Sequence, residues 1–156
     1  METCFINPPL GITKIAGDDN GISAISILEE GTISAVIPSV LQEAVVQLQD
    51  YFRNERTEFT FKTNAKGTDF QQKVWQELLH IPYGTTISYL DLAKKLGDAK
   101  GIRAVASANG KNPLWIVVPC HRVIGTNGSL TGYAGGLWRK KWLLEDENPT
   151  NQQSLF

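Results

Sequence analysis

Cys120 and His121 stand side by side in Ile116-Val117-Val118-Pro119-Cys120-His121-Arg122-Val123-Ile124, the stretch of this 156-residue chain best equipped for chemistry. A thiol is a strong nucleophile as its thiolate, a form that nearby cations or proton acceptors favour, and here His121 and Arg122 follow it directly. The β-branched run reads as a short buried strand that Pro119 ends, which places Cys120 at a strand end. Successive strand residues face opposite ways, so the imidazole reaches the sulfur only if the chain turns at this point. For a lone cysteine in an apolar run, inert core packing is ordinarily the commoner reading.

The remaining soft ligands are few. Cys4 is the other cysteine and His80 the other histidine, and none of the four has the short spacing of a zinc site, so no metal and no structural disulfide are expected. No apolar run approaches the roughly 18 residues that cross a bilayer, and METCFINPPL lacks the basic-then-apolar order of a signal peptide. An intracellular protein without a membrane partner is the expectation. The net charge of −1 hides an asymmetry: residues 1–65 hold four basic and nine acidic side chains, residues 66–156 eleven basic and seven acidic. A basic half can attract a polyanion, although uneven scatter of surface charge gives the same count.

The elements that must position Cys120 fall into two parts. In the first, residues 1–65, Gly21–Leu28 and Gly31–Ile37 partly alternate around Glu29-Glu30 and predict a hairpin. Ser39, with Gln42 three residues on, reads as the capping box of a helix carrying Leu41, Val45, Leu48 and Phe52, and Phe59–Phe61 as a returning strand. Asn64-Ala65-Lys66-Gly67 is the linker. The second part, residues 66–156, opens on a capping box from Thr68 to Gln71 and a helix with Phe70, Val74, Leu78 and Leu79 on one side. Ser88 caps a helix with Leu92, Ala93 and Leu96 inward; Gly97 ends it, and Asp98 caps another from about Lys100 to Ala108. Two short helices around a glycine turn, the second bearing Lys100 and Arg103, predict a helix-turn-helix. A last helix spans Leu137–Leu144, and its Arg139-Lys140-Lys141 run reads as a solvated basic face.

The block from Asn112 to Gly125 resembles the active-site signature of the O6-alkylguanine-DNA alkyltransferases. The resemblance runs from about Gly67 to Glu147 and includes Phe70–Trp75, Ile81-Pro82-Tyr83-Gly84, Ile87-Ser88-Tyr89, Arg103-Ala104-Val105, Asn109-Gly110 and Thr131–Gly136. It implies a ribonuclease-H-like α/β N-terminal domain followed by a mainly α domain with a helix-turn-helix. It also implies a monomer that needs no cofactor and acts on double-stranded DNA containing O6-alkylguanine, approached through the minor groove.

Residue by residue, the resemblance makes Cys120 the alkyl acceptor, His121 the base that takes its proton through a water, and Glu147 the carboxylate behind the imidazole. Leu144-Glu145-Asp146-Glu147-Asn148 departs from the family's frequent Leu-x-His-Glu-Gly; three acids compete, and register favours Glu147. Tyr89 matches the tyrosine that rotates the nucleotide and donates a proton toward the leaving guanine, Arg103 the arginine that fills the vacated stack, and Asn112 the asparagine that braces the active-site segment. Ala104 and Ser107 are small enough for close approach to the sugar-phosphate backbone. Tyr133, Ala134 and Gly135 form the loop against the purine, with Ala134 where some relatives have serine. A carboxylate favours the imidazolium and the imidazolium favours the thiolate, so the relay is expected to hold the sulfur deprotonated.

Three other readings stay open. A cysteine hydrolase would use the same residue types with turnover, but its nucleophile usually lies far from its histidine in sequence. A non-catalytic alkyltransferase-like module would lack the acceptor cysteine that is present here. A plain helix-turn-helix regulator leaves Pro119–Arg122 without a purpose.

Overall fold

The computed structural model describes residues 1–130, 132–133 and 135–149. By internal contacts the chain forms two compact units: residues 1–66 with Pro113–Val117, and residues 67–112 with 118–156. The contiguous second part expected from sequence is thus interrupted by five residues that belong to the first unit.

The first unit is an antiparallel meander of β1 (Glu2–Ile6), β2 (Ile12–Asp18) and β3 (Gly21–Leu28), accompanied by helix α1 (Gln42–Phe52). Cys4, Ile6, Ile15, Ile22 and Ile25 bury their side chains, and burial pushes the Cys4 thiol up from its ordinary value, which makes it a core residue. β3 pairs with β2, which in turn pairs with β1, and the expected second hairpin strand does not form. Gly31–Ile37 is irregular and mostly exposed, with Val36 82% accessible, so its alternation has no burial to drive pairing. It is tied to β1 through backbone and side-chain bonds between Ser34 and Phe5. Phe59–Phe61 is no strand either. Thr60 is held by the buried Gln47 of α1, which donates to Thr60 Oγ1 at 2.8 Å and accepts from Thr60 N at 2.9 Å, and the backbone meets β3 only further on, at Thr63. Ser39 begins a 3₁₀ turn (Ser39–Leu41) without a side-chain cap, so the expected capping box is absent there.

Pro113–Val117 packs in this unit through Ile25, whose N–H donates to Pro113 O and whose carbonyl accepts from Trp115 N. Leu114–Val118 is buried as its composition demands, but it is a chain of turns and not a strand, with Ile116 at φ 72°. Positive φ is costly for a β-branched residue, and it reverses the chain just ahead of Pro119.

The second unit starts with α2 (Asp69–Leu78), whose Thr68–Gln71 capping box forms as expected. Val74, Trp75 and Leu78 face inward, whereas Phe70 and Leu79 are 43% and 47% exposed, so Trp75 and not Phe70 supplies the aromatic anchor. Its Nε1 donates to Ala108 O at 2.9 Å, joining α2 to the helix-turn-helix. There, Ser88 caps α3 (Tyr89–Lys95), Gly97 turns the chain at φ 86°, and Asp98 caps the 3₁₀ turn Ala99–Gly101 that leads into α4 (Ile102–Gly110). A two-stranded parallel ribbon joins β4 (Ile87–Ser88) to β5 (Val123–Ile124), immediately after the cysteine segment. Helix α5 (Leu137–Glu147) closes the described chain, three residues longer than expected. Among the described residues no helix is long and apolar enough to cross a membrane.

Candidate active site

Cys120, His121 and Arg122 form one 3₁₀ turn, so the chain bends where the relay needs it to bend. Pro119 carries the bend, and Cys120 N closes it on Val118 O at 2.8 Å. All three side chains are buried, Cys120 being 7% exposed. Asn112 braces the segment from outside the turn: its Nδ2 donates to Val118 O at 2.7 Å and to Cys120 Sγ at 3.4 Å. That donation favours the thiolate, and so does the positive charge of Lys140, but burial outweighs both and pushes the Cys120 thiol up. The resting sulfur is therefore a thiol, contrary to the expectation of a standing thiolate.

His121 is wholly buried, and its Nε2 lies 2.7 Å from Glu147 Oε2. Glu147 is 1% exposed at its side chain; burial works against its ionisation, yet His121 and Arg122 override burial and hold the carboxyl well below the usual range. An ionised carboxylate can only accept, so the imidazole proton sits on Nε2 and donates to Glu147. Nδ1 is then the basic nitrogen, and it has no partner among the described residues. Burial, assisted by the charges of Arg122 and Lys140, keeps the imidazole neutral against the pull of Glu147. The neutral ring can therefore accept a proton at Nδ1.

The cation that faces Glu147 is Arg122, which donates from Nε to Oε1 at 2.8 Å, from Nη2 to Oε2 at 2.9 Å and from Nη1 to Ile81 O at 2.7 Å. This fork locks the carboxylate in place, so Arg122 does not act as the thiolate's neighbouring charge that sequence adjacency suggests. Gly84 completes the grip: its N–H reaches Glu147 Oε1 at 3.3 Å, and its φ of 82° with Glu147 O at 3.1 Å from a would-be Cβ requires glycine. Of the three competing acids, Glu147 alone contacts the imidazole among the described ion pairs.

Lys140 is the residue that sequence reading misplaced. It is fully buried in the middle of the presumed solvated run, lies 5.9 Å from the Tyr89 ring centroid, and is pushed down to about 8 by burial, an effect that a Cys120 thiolate opposes. Its spacing could have shown this: Lys140, Leu143, Leu144 and Glu147 recur at three- and four-residue steps along one stripe, and all four are buried.

Tyr89 opens α3 and lines a cavity of about 520 Å³ together with Ile102, Ala106, Gly110, Thr126, Gly132 and Tyr133. That size suits one small planar ligand. Gly135 lies close by in sequence, its carbonyl accepting from Arg139 Nη1 at 2.8 Å; Ala134 lies outside the described residues. Arg103, Ala104 and Ser107 share the exposed face of α4. The structure thus gathers Cys120, His121, Glu147 and Asn112 at one point, sets Tyr89 and Tyr133 around a cavity, and leaves Arg103, Ala104 and Ser107 on a surface. Among the described residues no three His, Cys, Asp or Glu side chains gather as a metal site would require.

Residues 69–149 match the family model described as 6-O-methylguanine DNA methyltransferase, DNA binding domain, and residues 3–65 the model described as its ribonuclease-like domain. The chain belongs to the 6-O-methylguanine DNA methyltransferase family. Similar curated proteins include the methylated-DNA–protein-cysteine methyltransferases of Mycobacterium tuberculosis, 46% identical over 91% of this chain and 89% of that one, and of Methanosarcina acetivorans, 43% identical over 94% and 98%. A crystal structure of the M. tuberculosis O6-methylguanine methyltransferase superposes with a TM-score of 0.85 at 44% identity, covering 95% of this chain and 93% of that chain. The M. tuberculosis protein in complex with DNA superposes at 0.84 and 44% identity, covering 97% and 92%. The methyltransferase fold is thus an α/β N-terminal domain with a mainly helical domain that carries the helix-turn-helix, as the sequence resemblance implies.

Proposed function

We propose that this protein repairs O6-alkylguanine in DNA by transferring the alkyl group irreversibly to Cys120. The observation that carries the reading is the arrangement of the site: Cys120, braced by Asn112, shares a turn with His121, whose Nε2 lies on Glu147 and whose Nδ1 has no partner among the described residues. That arrangement stores a nucleophile at low reactivity and offers it a base.

Guanine alkylated at O6 hides the alkyl carbon inside the duplex, so the nucleotide must be flipped out, at a cost of a few kcal/mol that is smaller for a poorly paired base. The cavity beside Tyr89 and Tyr133 receives it. α4 enters the minor groove, where Ala104 and Ser107 allow close contact with the backbone and Arg103 fills the vacated stack. His121 Nδ1 takes the thiol proton through one water, and the thiolate attacks the alkyl carbon. The S–C bond forms as the C–O6 bond breaks, and Tyr89 donates a proton toward the leaving guanine. Nothing in the site hydrolyses the resulting thioether, so each molecule acts once, as a monomer.

The test is mass spectrometry of the protein after incubation with a short duplex that holds one O6-methylguanine. The expected result is a single added methyl on the peptide containing Cys120, stoichiometric with repaired duplex and absent in Cys120→Ser. Unmodified protein with intact lesion overturns the reading.

A further inference from the structure

Asn109 is a buried amide on the inner side of α4, 3% exposed, in a position where a helix gains nothing from asparagine's competing side chain. Its Nδ2 donates to Tyr89 Oη at 3.3 Å, and its Oδ1 is buried without a partner among the described residues. Buried polar atoms are almost always paired, so an orphan beside a cavity-lining hydroxyl calls for a reason. Neighbouring residues of α4, Ile102, Ala106 and Gly110, line the cavity that Tyr89 also lines, which places the Asn109–Tyr89 bond directly behind that wall.

We infer that Asn109 is a positioning residue for alkyl transfer: by donating to Tyr89 Oη it occupies an acceptor site of the phenol and turns the phenolic proton toward the cavity, where the leaving guanine needs it. The inference rests on the proposed proton-donor role of Tyr89. A hydroxyl has one proton and two lone pairs; once an N–H occupies a lone pair, the proton must point elsewhere. The opposite amide orientation would aim the phenolic proton at Asn109, away from the cavity; the Nδ2 donor on Tyr89 Oη is the arrangement that leaves that proton for the cavity side. Asn109 contributes no proton of its own to the reaction; its effect passes entirely through Tyr89.

That last feature makes the inference testable by a double-mutant cycle, read as the single-turnover rate of transfer from O6-methylguanine duplex with lesion-duplex affinity measured separately. Asn109→Leu removes the donor at similar size. The expected result is a transfer rate lower by roughly tenfold or more, within the range a proton donor supplies, with affinity nearly unchanged. Tyr89→Phe should also slow transfer, and adding N109L to Y89F should slow it no further. A packing role predicts the opposite, an equal penalty in both backgrounds, and that outcome overturns the inference, as does wild-type transfer in N109L. If Y89F itself transfers at the wild-type rate, the Tyr89 reading fails and takes the inference with it, a result distinct from failure of Asn109 alone. If N109L does not yield folded protein, N109A carries the same comparison.

Discussion

His121 and Lys140 respond to burial in the same direction: each is held below its ordinary value, so both bases of the site surrender their charge more readily than they would in water. Cys120 responds oppositely and keeps its proton. The free protein therefore rests with a thiol, a neutral imidazole and an ionised Glu147, and only substrate can move the proton usefully. The same shifts predict acid behaviour. Because folded His121 binds a proton less tightly than the unfolded side chain, the unfolded state gains protons first as pH falls below 6.5. Stability is then whole above that value and declines below it, by at most about 1.4 kcal/mol per pH unit for one proton. Glu147, depressed in the folded state, contributes stability above 4.5 that is lost as pH falls further, through its folded value. Urea unfolding at successive pH values should show both declines in wild type. His121→Gln should lack the first and weaken the second, since the imidazole is one of the groups that hold Glu147 ionised; a wild-type curve that stays flat from pH 7 to 5 contradicts the neutral buried imidazole.

Helix α4 divides into three faces with different duties. Val105 and Ala108 face the core and Trp75, Ile102, Ala106 and Gly110 face the cavity, and Arg103, Ala104 and Ser107 face outward. An arginine at the head of a small-residue face suits insertion into a duplex without holding the helix away from it. Arg103→Ala should therefore slow repair of O6-methylguanine in duplex DNA far more than reaction with the free alkylated base, because only the duplex reaction needs a flipped nucleotide. Equal slowing of both in parallel single-turnover assays would remove the flipping role. This element was legible from sequence: the Ser88 and Asp98 caps and the Gly97 turn state their backbone requirements locally. Of the first-unit strands, Gly21–Leu28 was legible from its alternation, whereas β1 and β2 were not, and the exposed Gly31–Ile37 alternates without a partner that buries it. Ile116-Val117-Val118 illustrates the same limit near the site. Its burial was readable from composition, but the turn follows from constraints at both ends, the Asn112 brace and Pro119, which hydrophobic pattern does not record. Within the site, Cys120, His121 and Asn112 are found by motif, whereas Lys140 was hidden between the half-buried Arg139 and the exposed Lys141.

At the scale of the whole molecule, the chain leaves its second unit after Asn112, lends Pro113–Val117 to the first, and returns at Val118, two residues before the nucleophile. Asn112 spans the two ends of this excursion, since its Nδ2 reaches Val118 O across the gap. The excursion itself is anchored by backbone bonds to Ile25 and by buried Leu114 and Ile116, each 1% exposed. The five residues that lead into Val118 and Cys120 are thus themselves held by packing within the first unit. Leu114→Ala deletes most of a buried side chain and should lower unfolding free energy by about 2–5 kcal/mol. It should also slow alkyl transfer by roughly tenfold under conditions where the variant stays folded, because small displacements of a reacting atom are expensive. Chemical denaturation and single-turnover transfer, measured on the same preparation, separate the two effects. A destabilised variant that transfers at the wild-type rate would mean that the Asn112 brace alone positions the sulfur.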